Sequence, residues 1–153
     1  MKRILVAATV LSLVSGLVTA AGPGRKYIVL RPPAASNAPF SEGVLSGDTL
    51  YVSGHIGLDP QTRKPGATPA EEARLVMESV KRTVEAAGMT MDDLVSVTVF
   101  CSDVSHYDAF NSVYRTYFHD NYPARAFIGS GKLLFDARFE VQGMAVKRSS
   151  AGK

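Results

Sequence analysis

Tryptophan is absent from the 153-residue chain, and cysteine occurs once, as Cys101. A lone thiol excludes an intrachain disulfide framework and a zinc site built on several thiolates, so folding must rest on an apolar core. An excess of one charge is lacking as well, with 17 Lys+Arg against 14 Asp+Glu. The basic residues are dispersed, in pairs such as Lys81-Arg82 and Lys147-Arg148, and no basic stripe suggests binding to a nucleic-acid backbone. Repeats and low-complexity tracts are missing. At this length a single modest domain is expected, and a multidomain enzyme is not.

Long hydrophobic runs are missing except at the start. Ile4 to Val18 is apolar over about 15 residues, interrupted by Ser12, Ser15 and Gly16. That falls short of the roughly 20 residues that span a bilayer. Lys2 and Arg3 precede the run, and Val18 with Ala20, or Thr19 with Ala21, place small residues where a signal peptidase cuts. Residues 1–21 are therefore expected to be a signal peptide, and the mature chain to be exported, periplasmic or secreted, without membrane attachment. No cysteine follows the run, so a bacterial-type lipid anchor is not expected. Loss of Lys2 and Arg3 leaves 15 basic residues against 14 acidic ones, a nearly neutral protein.

Residues 22–39 contain four prolines and read as an extended lead-in, because proline lacks an N–H and restricts the residue before it. The folded body is expected over 40–148, with a short tail at 149–153. Ser46-Gly47-Asp48 between apolar runs predicts a hairpin whose second strand reaches about Ile56. Thr68-Pro69-Ala70-Glu71 has the form of a helix cap, with proline at the first helical position. Ala73, Val76, Met77, Val80, Val84 and Ala87 then form one apolar stripe, ended by Gly88. The β-branched run from Val95 to Cys101 predicts a strand with Val95, Val97 and Val99 on one face. Ser105 and Asp108 suggest a second cap, before a helix whose face carries Phe110, Val113, Tyr114, Tyr117 and Phe118 and ends near His119. Strands at about Ala126–Ile128 and Phe139–Val146 close the chain.

The resulting order, β-β-α-β-α-β-β, implies an α+β fold with two helices on one face of a mixed sheet. Apolar residues on both sides of the strands leave a second face to cover, and a homo-oligomer is expected. Among chemistry-bearing residues, Arg125 stands out. It follows Pro123 at the mouth of a strand, and a rigidly placed guanidinium can hold a carboxylate bidentately, although a salt bridge would satisfy the same pattern. Cys101 reads as a buried packing residue. His55 reaches the face of Ser53 only if no bulge intervenes, and His106 and His119 lack the spacing of a metal site.

Several blocks in order, Asn37 to Val44, Leu50 to Ile56, Val84 to Gly88, Val97 to Phe100 with Asp103, Phe110-Asn111 with Tyr114 and Phe118, Tyr122 to Arg125 and Met144 to Val146, resemble the reactive-intermediate deaminase (Rid/YjgF) family. The resemblance implies a chorismate-mutase-like homotrimer with a pocket at each subunit interface. It implies hydrolysis of small 2-imino or enamino acids to 2-keto acids and ammonia, with no cofactor and no metal. By the same resemblance Arg125 grips the carboxylate, Ser53 and Gly54 face the reacting nitrogen or water, Asn111 and Tyr114 support the pocket, and Phe40 and Phe127 line it. Phe40 and Phe127 stand where the family often has tyrosine and cysteine. Gln142 is expected where catalytic members carry a water-positioning glutamate, with Glu140 about 7 Å away at ~3.3 Å per residue on the same strand face. Two readings follow: an exported imine deaminase using Arg125, Gln142 and Ser53, or a non-catalytic trimeric binder of small carboxylates.

Overall fold

The computed structural model describes residues 24–31 and 37–148; the expected signal peptide and the C-terminal tail lie outside the described residues. The elements are β1 (Arg25–Ile28), β2 (Gly43–Ser46), β3 (Thr49–Ile56), α1 (Pro69–Ala86), β4 (Leu94–Cys101), α2 (Tyr107–Tyr114), β5 (Ala124–Gly129) and β6 (Phe139–Val146). The strands form one sheet in the order β1-β2-β3-β6-β4-β5. Neighbours are antiparallel except β4 and β5, which run parallel and are joined through α2. Both helices pack on one face, as the sequence pattern predicts. Among the described residues no helix is long and apolar enough to cross a membrane.

The sheet begins earlier than expected. Arg25–Ile28, assigned to the lead-in from its proline-rich neighbourhood, pairs with β2 and buries Ile28. Three consecutive residues of that strand are exposed, which hides the alternation that marks a strand.

At α1 the cap works as read. Thr68 Oγ1 accepts from the Glu71 N–H at 3.2 Å, while the Glu71 carboxylate reaches the Ala67 N–H at 3.0 Å. Gly88 adopts φ 76°, and Gly88 and Met89 donate back to the carbonyls of Glu85 and Val84. This is the paired hydrogen bonding by which a left-handed residue ends a helix. Every member of the predicted stripe, from Ala73 to Ala87, is buried.

Two details depart from expectation. A register shift between Leu94 and Ser96 turns Val95 outward, so Leu94 joins Val97, Val99 and Cys101 in the core. One extra residue in a ladder reverses the alternation on one side of it. The second cap belongs to Asp103, whose carboxylate accepts from the Ser105 N–H at 2.9 Å, and a short 3₁₀ turn precedes α2. Beneath the helices, Phe110 meets Phe127 and Phe139 at ring separations of 5.6 and 4.9 Å. The opposite sheet face leaves Tyr27, Tyr51, Ile128 and Val146 exposed.

Candidate functional site

One group of predicted residues gathers on β3. Pairing with β6 runs through Val52–Gly143 and resumes at His55–Val141, so Ser53 and Gly54 oppose the single residue Gln142. This bulge turns His55 under α1, where Nδ1 lies 2.9 Å from Ser79 Oγ and Nε2 3.2 Å from Thr83 Oγ1. Desolvation lowers the His55 pKa, and the ring ties β3 to α1, away from Ser53.

The Ser53 hydroxyl donates to the carbonyls of Ser41 and Glu42. Its proton is thus shared between backbone acceptors, which suits positioning rather than attack. A Cβ on Gly54 would collide with the Glu140 carboxylate, so Glu140 occupies the space that glycine leaves open. The side chain of Gln142 is exposed beside Tyr51, Ser96 and Thr98. Glu140 opens on a surface groove shared with Leu134 and Phe135, both exposed. Phe135 and Asp136 hold left-handed backbone there, at φ 60° and 57°, the kind of local strain that persists where surroundings enforce it. Phe40 is exposed near this end, with the Arg31 guanidinium 5.0 Å above its ring and Arg31 paired to Glu42 at 2.7 Å.

The other group gathers on β5 and α2. Arg125 and Phe127 pair with Val97 and Val99 and face the helices. The Arg125 guanidinium lies 4.5 Å from the Tyr114 ring and 5.7 Å from that of Phe127. Aromatic faces attract and orient a cation without consuming its N–H donors. Among the described residues no carboxylate pairs with Arg125. The guanidinium borders a cavity of about 260 Å³ lined also by Tyr107, Asn111, Tyr114 and Tyr122. Burial pushes the Tyr114 phenol up to about 12, against a smaller opposing effect of Arg125. Its hydroxyl has no hydrogen-bond partner among the described residues.

These groups do not meet within the chain. Strands β6 and β4 separate β3 from β5, three strand spacings or ~14 Å, and Glu140 lies on the face opposite Arg125. Of the remaining candidates, Cys101 is buried, its thiol pKa raised by desolvation, and its Sγ lies 3.0 Å from the Asp103 carbonyl. His119 pairs with Asp92 at the surface, and His106 packs edge-on to Phe139. No cluster of metal-ligating residues occurs among the described residues.

The placement of Glu140 over Gly54 was not readable from spacing, because it depends on a bulge. Tyr107 and Arg115 were more accessible to sequence. Together with Asn111 and Tyr114 they recur at helical intervals of four, three and one, beside the Phe110 core stripe.

Fold and site define a two-layer α+β domain built around a guanidinium-centred pocket. The family model described as endoribonuclease L-PSP matches residues 31–147, and the chain belongs to that family, the one the sequence resembles under the name Rid/YjgF. The chain is similar to the rat 2-iminobutanoate/2-iminopropanoate deaminase, with 35% identity over 80% of this chain and 90% of the relative. A RutC family protein of Saccharolobus solfataricus is 39% identical over 71% of this chain and 87% of that protein. Among solved structures, Escherichia coli TdcF with bound serine superposes with a TM-score of 0.73 at 32% identity, covering 80% of this chain and 100% of the other.

Proposed function

We propose that this protein is a hydrolytic deaminase of small 2-imino and enamino acids, releasing a 2-keto acid and ammonia. The observation that carries the reading is Arg125, a guanidinium held over Tyr114 at a small cavity with no carboxylate partner among the described residues. The names of the rat relative and of TdcF, a putative reactive intermediate deaminase in E. coli, agree with it.

Arg125 anchors the substrate carboxylate, which fixes the adjacent C=N carbon for attack. Water adds to that carbon, forming a C–O bond as the C=N π electrons move to nitrogen. The carbinolamine then loses ammonia as its hydroxyl becomes the keto group, so imino acid and water become keto acid and ammonia. A carboxylate suits the proton traffic, because it can take a proton from water and return it to the leaving nitrogen. Gln142 can orient water but cannot carry that proton. Glu140, beside Gly54 and the Ser53 bulge, is the group we assign to the task.

Since Arg125 and Glu140 lie apart in one protomer, we infer a complete site formed between copies of the chain, with a homotrimer as the assembly. The exposed Tyr51, Ile128, Val146, Leu134 and Phe135 support such contacts. We further infer export, from the N-terminal sequence alone.

The alternative, a trimeric carboxylate binder without turnover, is favoured by the lack of any acid–base carboxylate lining the Arg125 cavity among the described residues. Glu140→Gln and Gln142→Glu separate the readings. A deaminase using Glu140 loses keto-acid release in the first and is little changed in the second. A binder shows no release in either while retaining carboxylate affinity.

A further inference from the structure

The cavity at Arg125 contains a second arginine. Arg115, the residue that closes α2, lines the same space of about 260 Å³ with Tyr107, Asn111, Tyr114 and Tyr122. Among the described residues no acidic side chain lines it and neither arginine forms an ion pair. Two guanidinium groups at one cavity repel each other until an anion enters, and one carboxylate leaves a cation uncompensated. Tyr114 also lines the cavity; its side chain is 3% exposed, and its hydroxyl has no hydrogen-bond partner among the described residues.

We propose that the ligand of this cavity is a short dicarboxylate, a 2-imino acid whose side chain ends in a second carboxylate. Its 2-carboxylate binds Arg125 and its side-chain carboxylate binds Arg115. The imine rests on the deaminase reading above, whereas the second anion rests on Arg115. The volume lies just under the roughly 300 Å³ at which pockets begin to suit drug-sized ligands, and so fits a four- or five-carbon acid. A neutral side chain would instead place methyl groups against a charged guanidinium and displace its water without replacing the hydrogen bonds. The reaction is otherwise unchanged: water adds, ammonia leaves, and the product is a 2-oxo dicarboxylate.

The test generates imino acids in situ with amino-acid oxidases, from aspartate and glutamate on one side and 2-aminobutyrate on the other. The readout is the ratio of kcat/KM for dicarboxylate over monocarboxylate. The purified protein should favour the dicarboxylates by about ten-fold or more, because charge-assisted hydrogen bonds to a second carboxylate are among the stronger contacts available. Arg115→Ala should collapse that ratio by about ten-fold, and Arg115→Glu should lower it further. A ratio that favours the monocarboxylate in the wild type, or that Arg115→Ala leaves unchanged, overturns the proposal while the deaminase reading stands. If no imino acid is turned over, calorimetry with succinate and butyrate decides it. Succinate affinity that falls ten-fold or more in Arg115→Ala supports the dicarboxylate site, and equal affinity for the two acids, or no binding, overturns it.

Discussion

Glu140 lies against Gly54 across the β3–β6 ladder, its carboxylate filling the space where any other residue at 54 would place its Cβ. A glycine is needed at this position for room rather than for backbone conformation. The same bulge that presents Gly54 turns His55 to the opposite side of the sheet.

Substitution should separate room from stability. Gly54→Ala displaces the end of a flexible side chain, so unfolding by urea should shift by less than about 1 kcal/mol. Keto-acid release should nevertheless fall about as far as in Glu140→Gln, on the order of 10²-fold or more, the usual worth of a positioned acid–base group. Full activity in Gly54→Ala would show that Glu140 need not hold its observed place.

Much of the fold was legible because its signals are local. The Thr68 cap, the stripe from Ala73 to Ala87, the Gly88 stop and the limits of Phe139–Val146 each depend on neighbours along the chain, and the structure agrees with all of them. What escaped depends on partners distant in sequence. Strand β1 is recognisable only through its pairing with β2, and the shift at Val95 only through pairing with β6. The Arg125 pocket was half visible, since Pro123, Asn111 and Tyr114 carried it, but the approach of Arg115 required the end of α2 to be placed. The family resemblance points to Gln142 rather than Glu140, and the β3 bulge that sets Gly54 against Glu140 has no signal in sequence spacing.

Another long-range feature bears on stability. Glu72 is fully buried in α1, yet its carboxylate accepts from the Arg138 guanidinium at 2.7 Å and from the backbone N–H groups of Arg138 and Phe139 at 2.6 and 3.1 Å. Removing one member of a buried ion pair leaves the other groups without partners, at a cost of about 3–5 kcal/mol. Glu72→Ala should therefore lower the unfolding free energy by about that much, while Glu72→Gln, which keeps an acceptor, should cost less. Equal stability of Glu72→Ala and wild type in denaturant titrations would refute this role.

The histidine under α1 makes stability depend on pH. Burial lowers the His55 pKa below its usual 6.5, with the Glu42 carbonyl opposing. The unfolded chain therefore binds more protons than the folded one at pH values under about 6.5. Its contribution is intact above that pH and is lost as the pH falls toward the lower folded value. Urea unfolding between pH 7.5 and 5 should show wild-type stability declining through this window, with a shallower decline in His55→Gln. Identical slopes would remove His55 from the account.

Assembly is open to a direct check. If Arg125 and Glu140 act together only between copies, mixing Arg125→Ala with Glu140→Gln after partial denaturation and reassembly should recover part of the activity that neither variant has alone. Sedimentation should report a trimer for each parent. A monomeric wild type with full turnover would contradict a shared site.

The central claim is that Arg125 holds the carboxylate of an imino acid while water cleaves its C=N bond. The most direct test measures ammonia and 2-keto acid released from freshly generated 2-imino acids, comparing wild type with Arg125→Ala at matched protein concentration. The account predicts release above the uncatalysed rate for wild type and a loss of at least about 10²-fold in the variant, consistent with a lost substrate anchor. Release that survives Arg125→Ala, or wild-type release no faster than the uncatalysed reaction across mono- and dicarboxylic imino acids, would contradict it.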